Sequence, residues 1–410
     1  MSIGICLEFG SWYLGFNLFR IFASFNQLFL MDFAFTEEQR MIQQAARDFA
    51  ERELIMDVIG RDTRAEFPYD HVKNLRELGF FGMMVSPAYG GIGMDTVGYC
   101  MAIEEFSKID ASVGVLLAVH NSLACGGIEK FGNDFQKEKY LPWLASGEKI
   151  GAFLLSEPEA GSDASRQKTL AEDKGDHYLL NGTKNWISSA NSGSVYITIA
   201  QTYPELGHRG INAFIIDKDS PGISLGPHED KMGMRSSDTH SVMFTDVKVP
   251  KENRIGEDGF GFKFAMKMLE VGRIGIAAQA TGIAAGALER SLKYAQERKA
   301  FGKLLIDHQA IAFKLADMAV KVENSRNLVY KAAWLKDQGQ SFGMASSMAK
   351  QYAADIAMEV TTEAVQIHGG YGYVKEYHVE RLMRDAKVTQ IYEGTSEIQK
   401  IVISRGLVKG

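Results

Sequence analysis

The chain has 410 residues, of which 46% are hydrophobic and 23% charged, and its net charge is −6 from 45 basic and 51 acidic residues. This composition excludes an intrinsically disordered protein, and without a basic surplus we expect no nucleic-acid binding. The three cysteines form no paired motif and no HExxH pattern occurs, so we expect neither a disulfide framework nor a metal site.

Residues 1–30 differ from the rest of the chain because they are rich in aromatic side chains and carry only two charges, Glu8 and Arg20. Glu8 stands ahead of the apolar run, which disfavours a signal peptide, and a single arginine disfavours a mitochondrial transit peptide. Polar residues interrupt the stretch that a membrane anchor would need, so we expect no stable membrane insertion. We predict that this extension is not part of the fold; it is either upstream sequence translated ahead of Met31 or a disordered tail.

Helical patterns fill the next part of the chain, which we predict to be an N-terminal helical domain over 31–150. Thr36 and Gln39 have the spacing of a capping box, and apolar residues follow them at helical intervals. Further helices are predicted between Pro68 and Gly79, over 96–131 with a break near Asp110, and over 134–145.

The pattern changes between residues 151 and 250, where five of the eight prolines lie among short β-branched and aromatic runs. Asn181-Gly182 stands between two such runs and predicts a hairpin turn, because both central residues of a type I′ turn need positive φ. Alternation before Pro250 predicts another strand. We therefore predict a middle antiparallel β domain over 151–250, built as a sandwich or a barrel.

No proline follows Pro250, and long helical patterns dominate the remainder of the chain. They predict a C-terminal four-helix bundle over 251–410, with helices at 260–297, 307–338, 343–367 and 395–405. Residues 272–287 are dense in glycine and alanine, which indicates a central helix that neighbours approach closely. The fold class is accordingly α+β, and we find no Rossmann, P-loop or serine-hydrolase motif.

Six motifs occur in a fixed order along the chain. They are Leu155-Ser156-Glu157-Pro158 with Gly161-Ser162-Asp163, Trp186-Ile187-Ser188, Glu270-Val271-Gly272-Arg273, Arg298-Lys299-Ala300-Phe301-Gly302, Gln366-Ile367-His368-Gly369-Gly370-Tyr371-Gly372, and Ile391-Tyr392-Glu393-Gly394-Thr395-Ser396-Glu397-Ile398. With these motifs the chain from Met31 onward resembles the acyl-CoA dehydrogenase family, close to its short-chain (butyryl-CoA) branch.

The resemblance implies the fold described above and an enzyme of fatty acid β-oxidation. The implied reaction is the FAD-dependent α,β-dehydrogenation of a short-chain acyl-CoA thioester to the trans-2-enoyl-CoA, with an acyl group of C4–C6. Electrons would pass to an electron-transfer flavoprotein, and the protein would be a homotetramer. The expected location is the cytoplasm of a bacterium, or the mitochondrial matrix if the source is eukaryotic.

By resemblance, Glu393 is the base that removes the α-proton. A carboxylate between Tyr392 and Gly394 in a break between helices would be desolvated, and desolvation raises its pKa towards a usable value. The alternative is a helix-capping or surface glutamate. Some family members place the base immediately before the equivalent of Arg273, but that position is Gly272 here and cannot serve.

The resemblance also implies cofactor and substrate contacts. The implied FAD contacts are Leu155, Ser156, Trp186, Ile187 and Ser188 at the flavin ring, Arg298, Phe301 and Gln309 at the pyrophosphate and adenine end, Gln366, Gly369 and Gly370 near a neighbouring subunit, and Thr395 and Glu397. The implied CoA contacts are Ser162, Glu270, Arg273 and Gly394, although the short-chain branch usually has Asp where Glu270 stands. Without the resemblance, the arginines would be surface charges, Trp186 a core residue and the paired glycines a helix cap.

Two other classes of function remain open at this point. One is a flavin oxidase or monooxygenase on the same scaffold, which the presence of Glu393 disfavours. The other is a catalytically silent scaffold protein, which bleaching of bound flavin by butyryl-CoA would exclude.

Overall fold

A computed structural model of the chain describes residues 34–409. The predictions for residues 1–30 and for a start at Met31 lie outside the described residues.

The first part of the described chain is helical, as predicted. Its helices are α1 (Glu37–Arg52), α2 (Val58–Arg64), α3 (Tyr69–Glu77), α4 (Thr96–Ile109), α5 (Ala111–Val119), α6 (Gly126–Phe131) and α7 (Asp134–Ala145). Helix α3 begins directly after Pro68, and Gly79 follows its end with a φ of +77°. The helix therefore begins and ends where Pro68 and Gly79 indicated.

The break near Asp110 is also confirmed, and the structure shows why it occurs there. The Asp110 side chain caps α5 by accepting hydrogen bonds from the backbone N–H groups of Ser112 (2.8 Å) and Val113 (3.3 Å). Its other carboxylate oxygen accepts from the Arg61 guanidinium at 2.7 Å. The buried Asp110 carboxylate is therefore paired with a cation, and an unpaired charge at this position would be strongly destabilising. A π-helical segment, His120–Cys125, joins α5 to α6.

The middle part folds into one eight-stranded sheet. Its strands are β1 (Gly151–Leu154), β2 (Leu170–Asp173), β3 (His177–Ser188), β4 (Val195–Gln201), β5 (Ile211–Asp217), β6 (Ile223–Leu225), β7 (Thr239–Pro250) and β8 (Arg254–Ile255). The strand order is β6-β7-β3-β2-β4-β5-β8, and β1 also pairs with β4. Most pairings are antiparallel, but β1 and β2 run parallel to β4.

The sheet folds over its own core. Tyr178 on β3 and Phe214 on β5 are separated in the sheet by β2 and β4, yet their ring centroids lie 4.9 Å apart. The buried cluster around them draws side chains from both halves of the sheet. This is the packing of a sandwich, in which two inner faces interdigitate.

The predicted hairpin at Asn181-Gly182 is wrong. Strand β3 runs through both residues and pairs with β7 on either side of a register shift between Leu180 and Gly182. Gly182 has a φ of +147°, and a Cβ there would lie 2.6 Å from the Thr169 Cα. The Asn181 side chain hydrogen-bonds the backbone N–H of Asp246 on β7 at 2.9 Å. The Asn-Gly pair therefore marks a β-bulge, where glycine is also favoured.

The last part contains the predicted bundle and one helix that the sequence patterns did not indicate. Its helices are α8 (Gly261–Glu297), α9 (Gln309–Asp337), α10 (Gly343–His368), α11 (Val379–Thr389) and α12 (Ser396–Lys409), with a small hairpin of β9 (Lys299–Ala300) and β10 (Lys303–Leu304) between α8 and α9. The unpredicted helix is α11. It is short and charged, and its buried face carries the ion pair Arg381–Asp385 beside Val379, Leu382 and Ala386, so apolar spacing alone did not mark it.

Helix α8 is central, as its small residues predicted. A Cβ at Gly282 or Gly286 would collide with the backbone carbonyls of Glu104 and Lys108 on α4. Glycine is therefore required for this close approach of two helix axes.

Two helical stretches are long and apolar enough to span a membrane by length and composition, Ala111–Phe131 and Gly261–Glu297. In both, the most apolar window is packed inside the protein, with 89% and 94% of it buried. Burial on all sides is what the core helices of a large helical protein show, so their apolar character has a packing explanation.

Candidate active site

Glu393 lies in the loop between α11 and α12, and its backbone is strained. Glu393 has a φ of +53° and Gly394 a φ of +89°, so two consecutive residues are left-handed. For a residue other than glycine this conformation costs about 1 kcal/mol. Gln399 Nε2 donates to the Glu393 carbonyl at 3.2 Å and to the Gly394 carbonyl at 2.8 Å. Lys350 Nζ donates to the same Gly394 carbonyl at 2.7 Å.

The start of α12 is capped by Thr395 and not by Glu393. Thr395 Oγ1 accepts a hydrogen bond from the backbone N–H of Ile398 at 3.3 Å. This is the geometry of an N-cap residue, whose side chain satisfies a free N–H of the first helical turn. The Glu393 carboxylate therefore does not cap this helix.

Tyr392 fixes the other end of the loop. Its hydroxyl hydrogen-bonds Gln279 Oε1 on α8, and Gln279 Nε2 donates to the Ala111 carbonyl at 2.7 Å. The loop is thus attached to two helices of different domains. The Tyr392 hydroxyl also lies 3.9 Å from Met234 Sδ, so the loop between β6 and β7 reaches this site.

The Glu393 carboxylate has an environment suited to a base. Burial raises its pKa to about 7, against the opposing positive charges of Arg273 and Lys350. Glu393 Oε2 is buried and accepts no hydrogen bond from the described residues. A buried carboxylate oxygen without a donor is costly and is expected where a ligand completes the site.

Gly272 makes room for this carboxylate. A Cβ at position 272 would lie 2.8 Å from Glu393 Oε2 and 3.0 Å from Leu123 Cδ2. Position 272 is where the alternative base of some family members would stand. In this chain, position 272 has no side chain and leaves space. Among the described residues, Glu393 supplies the carboxylate that lies against it.

Two predicted flavin-facing segments lie side by side in the β domain. The backbone N–H of Asn185 donates to the Ser156 carbonyl at 2.8 Å, which joins the Leu155-Ser156 segment to β3. Trp186 is 61% exposed and has a φ of +62°, while the next residue, Ile187, is buried in the core of the β domain. Trp186 is therefore not a core residue. Ser188, the last residue of β3, is half-buried at the end of the same strand.

A buried lysine, Lys184, holds these segments together. Its ammonium donates to the Leu155 carbonyl (3.1 Å), Glu157 Oε1 (2.7 Å) and Gln167 Oε1 (2.9 Å). Burial acts to raise the pKa of Glu157, but the Lys184 charge and several hydrogen bonds lower it below its usual value. The two charges are therefore paired inside the β domain.

Lys184→Met is expected to destabilise the protein by about 3 kcal/mol, because it leaves the Glu157 carboxylate buried without its cation. Urea unfolding measures the loss. The double variant Lys184→Met/Glu157→Gln removes both charges and should recover part of the stability. An equal or larger loss in the double variant would contradict the assignment of the effect to the buried charge.

The predicted CoA contacts divide between two places. Arg273 is buried on α8, where burial lowers its pKa and Ser347 Oγ accepts from it at 3.4 Å. Glu270 lies nearly one turn earlier on α8, against the start of α10 at Gly343. Gly394 adjoins Glu393, and the positive charge of Arg273 acts on the Glu393 carboxylate, so these two predicted contacts lie beside it. Ser162 lies in the exposed loop that follows the Leu155-Ser156 segment.

The other predicted FAD contacts lie at the opposite end of the bundle. They are Arg298, Phe301, Gln309, Gln366, Gly369 and Gly370, and all six are exposed. Arg298 lies 5.4 Å from the centre of the Tyr371 ring, which joins the end of α8 to the turn after α10. From Arg273 to Arg298 the helix rises roughly 37 Å. One chain therefore presents the predicted FAD contacts as two separate groups.

Both groups fit a flat cofactor with a long phosphate-bearing tail such as FAD. In the β domain the Trp186 indole is exposed, and in the helical part Glu393 Oε2 is buried and accepts no hydrogen bond from the described residues. An aromatic face and a carboxylate of this kind suit the flavin end of the cofactor and its substrate. At the far end, Phe301 is 96% exposed, and Cβ atoms at Gly369 and Gly370 would have nothing within 4 Å. Arg298 supplies a permanent charge suited to phosphate. Thr395 and Glu397 lie at the start of α12, beside the base.

Sequence reasoning missed the residues that hold the Glu393 loop in place. Lys350, Gln279 and Gln399 are fully buried polar side chains on three different helices. A signal existed for two of them, since Lys350 and Gln279 each interrupt an alanine-rich run. A polar residue on the buried face of a helix needs a partner, but its identity cannot be read from helical spacing.

Three family models match almost the whole described chain. The model described as "Acyl-CoA dehydrogenase, N-terminal domain" matches residues 36–148, the middle-domain model matches 152–247, and the C-terminal-domain model matches 259–408.

Individual proteins match over nearly their full length. A short-chain specific acyl-CoA dehydrogenase of Clostridium acetobutylicum is 48% identical, over 91% of this chain and 99% of that protein. The caffeyl-CoA reductase–Etf complex subunit CarC of Acetobacterium woodii is also 48% identical, over 92% and 99%. The structure of butyryl-CoA dehydrogenase from Megasphaera elsdenii superimposes with a TM-score of 0.91 at 47% identity, covering 92% of this chain and all of that one.

Proposed function

The chain belongs to the acyl-CoA dehydrogenase family, and we propose that it dehydrogenates a short-chain acyl-CoA thioester to the trans-2-enoyl-CoA with Glu393 as the base. It is an oxidoreductase, its substrate is an acyl-CoA, and its cofactor is FAD. The observation that carries the assignment of the base is the buried Glu393 carboxylate oxygen, Oε2, which accepts no hydrogen bond from residues 34–409.

The residues around Glu393 can bind, orient and deprotonate an α-carbon. A carboxyl group with a pKa of about 7 is ionised in a substantial fraction of molecules at neutral pH, and its desolvation makes it a stronger base than an exposed glutamate. Arg273 and Lys350 stabilise the ionised form. FAD, when bound, supplies the oxidant that takes up the two electrons lost from the substrate.

The remaining predicted contacts are assigned by the same reasoning. We propose that Leu155, Ser156, Trp186, Ile187, Ser188, Thr395 and Glu397 hold the flavin end of FAD, and that Ser162, Glu270, Arg273 and Gly394 hold CoA. The second group of FAD contacts lies far from the base within one chain. A neighbouring subunit that supplies this group, in a homotetramer, is the arrangement that reconciles the two groups.

The electron acceptor and the domain limits are part of the proposal. An Etf complex occurs in the name of one relative, and we propose an electron-transfer flavoprotein as the partner here. We keep 31–150, 151–250 and 251–410 as the domain limits. A bacterial cytoplasm, or a mitochondrial matrix in a eukaryote, remains the proposed location.

The acyl group is proposed to be short because the Tyr99 phenol packs on α8 close to Gly272, the residue that faces the Glu393 carboxylate. Gly275 follows Gly272 by three residues, about 4.5 Å further along α8. A Cβ at Gly275 would collide with the Tyr99 hydroxyl, which donates to the Ala118 carbonyl at 3.3 Å. A rigid phenol therefore stands roughly one helical turn from the carboxylate.

Anaerobic bleaching of the flavin by saturated acyl-CoAs of increasing length tests this proposal. We expect the fastest bleaching between C4 and C6, with Tyr99→Ala moving the maximum to longer chains, because it removes the phenol that blocks the space. A wild-type maximum at C12 or beyond would contradict the proposed substrate.

The two alternatives have less support. A monooxygenase on this scaffold has no need of a base held as Glu393 is, and an oxidase would differ from the proposed enzyme in passing its electrons to oxygen. A silent scaffold has no need to bury a carboxylate oxygen that accepts no hydrogen bond from the described residues. Reoxidation of the bleached flavin by oxygen, faster than by an electron-transfer flavoprotein, would favour the oxidase. A flavin that no acyl-CoA bleaches would favour the scaffold protein.

A further inference from the structure

Lys350 is a buried lysine whose charge has no carboxylate in direct contact. It lies on α10 with none of its surface exposed, and its ammonium donates 2.7 Å to the backbone carbonyl of Gly394. No ion pair within 4.0 Å includes Lys350 among the residues that the structure describes. A buried ammonium without a contacting counter-charge is expensive, so a specific use for it is expected.

The charged groups that face Lys350 come from every element around it. They are Arg273 on α8, Asp355 on α10 itself, Glu397 on α12, and Glu393 in the loop. Asp355 is engaged elsewhere, since Gln390 Nε2 (2.8 Å) and Gln351 Nε2 (2.6 Å) both donate to it. Glu397 is exposed to solvent. The buried carboxylate that Lys350 faces is therefore Glu393.

The two phenols near the carboxylate do not alter this balance at neutral pH. Burial raises the pKa values of both Tyr99 and Tyr392 well above their usual range, so both remain neutral. The charges acting on Glu393 are those of Lys350 and Arg273. Of these two, Lys350 also holds the backbone of the loop.

We propose that Lys350 is a positioning residue for Glu393, which holds the strained loop through the Gly394 carbonyl and supplies a positive charge that keeps the carboxylate ionised. This inference rests on the proposed function, because it assumes that the ionised form of Glu393 is the reactive one. Gln399 shares the mechanical part of this task, since it donates to the same carbonyl, but it carries no charge.

The sign of the expected effect follows from the two charges. A nearby cation favours the ionised carboxylate and so lowers its pKa. Burial lowers the pKa of Lys350 to about 8, so the ammonium is charged at neutral pH, where the base must work. Removing the Lys350 charge should therefore raise the pKa of Glu393. The pH range over which the rate of flavin reduction increases should then move to higher pH.

The test is a pH profile of flavin reduction by butyryl-CoA in anaerobic stopped flow, measured on FAD-loaded protein. Lys350→Gln keeps an amide donor for the Gly394 carbonyl but removes the charge. Gln399→Met is the matched control, because it loosens the same loop without changing any charge. We expect Lys350→Gln to shift the acid limb of the profile by about one pH unit towards alkaline pH, and Gln399→Met to lower the rate without shifting the limb.

The outcomes separate the two proposals. If the wild type is not bleached by any acyl-CoA, the proposed function fails and the profile is not measurable. If the wild type is bleached and the acid limb of Lys350→Gln stays in place, the role of Lys350 is overturned. A shift of equal size in Gln399→Met would also overturn it, because the effect would then come from the loop alone.

A reciprocal measurement covers the case in which Lys350→Gln does not fold. Interacting groups shift each other's titration, so Glu393→Gln should lower the pKa of Lys350. Selective isotope labelling of lysine allows NMR titration of the buried ammonium in the wild type and in Glu393→Gln. A fall in the Lys350 pKa supports the proposal, and an unchanged titration would overturn it.

Discussion

Glu393→Gln is expected to retain bound FAD and to lose about a thousandfold in the rate of flavin reduction by butyryl-CoA. A positioned general base contributes about 10² to 10⁴ in rate, and glutamine has the shape of glutamate without its basicity. Anaerobic stopped flow with FAD-saturated protein measures the loss. Glu376→Gln, on the exposed segment before α11, is the matched control and should behave as the wild type does.

The same variant is expected to be at least as stable as the wild type above neutral pH. Burial raises the pKa of Glu393 from its usual value to about 7 in the folded protein. The folded state therefore holds its proton more tightly than the unfolded chain does, and the wild type loses stability as pH rises between these two values. Glutamine has no proton to lose, so the melting temperature of the variant should exceed that of the wild type at pH 8 and match it near pH 4.

Either of two results would contradict this account of Glu393. Near-normal turnover of Glu393→Gln would show that another group takes the α-proton. Loss of FAD together with a lower melting temperature would show that the Glu393 carboxylate stabilises the fold and is not a base.

Gly272→Ala is expected to lower the rate of flavin reduction by about a hundredfold. The added methyl group would lie 2.8 Å from Glu393 Oε2 and 3.0 Å from Leu123 Cδ2, so the carboxylate must move. A misplacement of about 1 Å at a reacting group costs about a hundredfold in rate. The expected loss is therefore in the rate with saturating substrate, while FAD content is retained.

Gly286→Ala on the same helix is the matched control for this substitution. Its methyl group would collide with the Lys108 carbonyl of α4, remote from the base, so it should lower the melting temperature while FAD-loaded protein keeps its rate. If Gly272→Ala instead lowers stability and leaves the rate of loaded protein unchanged, the glycine serves helix packing and does not accommodate the base.

Much of the fold could be predicted from local patterns. Pro68 and Gly79 bracketed a helix, and Asp110 marked a break, because helix ends are controlled by backbone conformation and capping groups within a few residues. The glycines of α8 indicated a central helix for a similar reason, since only small residues admit another backbone. Asn181-Gly182 failed because its local conformational preference suits both a turn and a bulge. The partner strand β7, more than sixty residues away, decides between them.

The site divides in the same way. Glu393 could be proposed as the base because its motif is contiguous, and Gly272 could be excluded as a base because glycine has no side chain. The roles of Lys350 and Gln279 could not be identified, because each depends on a contact with a loop that is far away in the sequence. Gln399 is close to the loop in sequence, but helical spacing does not show that its side chain turns back to the loop carbonyls.

By itself the sequence determined the order of helices, strands and bundle, since these depend on residue type and on spacing within short segments. Its contiguous motifs indicated the family by resemblance, and with it Glu393 as the proposed base. The tertiary structure alone decided that Gly272 makes room for the carboxylate, that a buried lysine holds its loop, and that the predicted FAD contacts form two distant groups. Burial, hydrogen bonding and charge act through space, and the residues that they join in this protein come from separate segments of the chain.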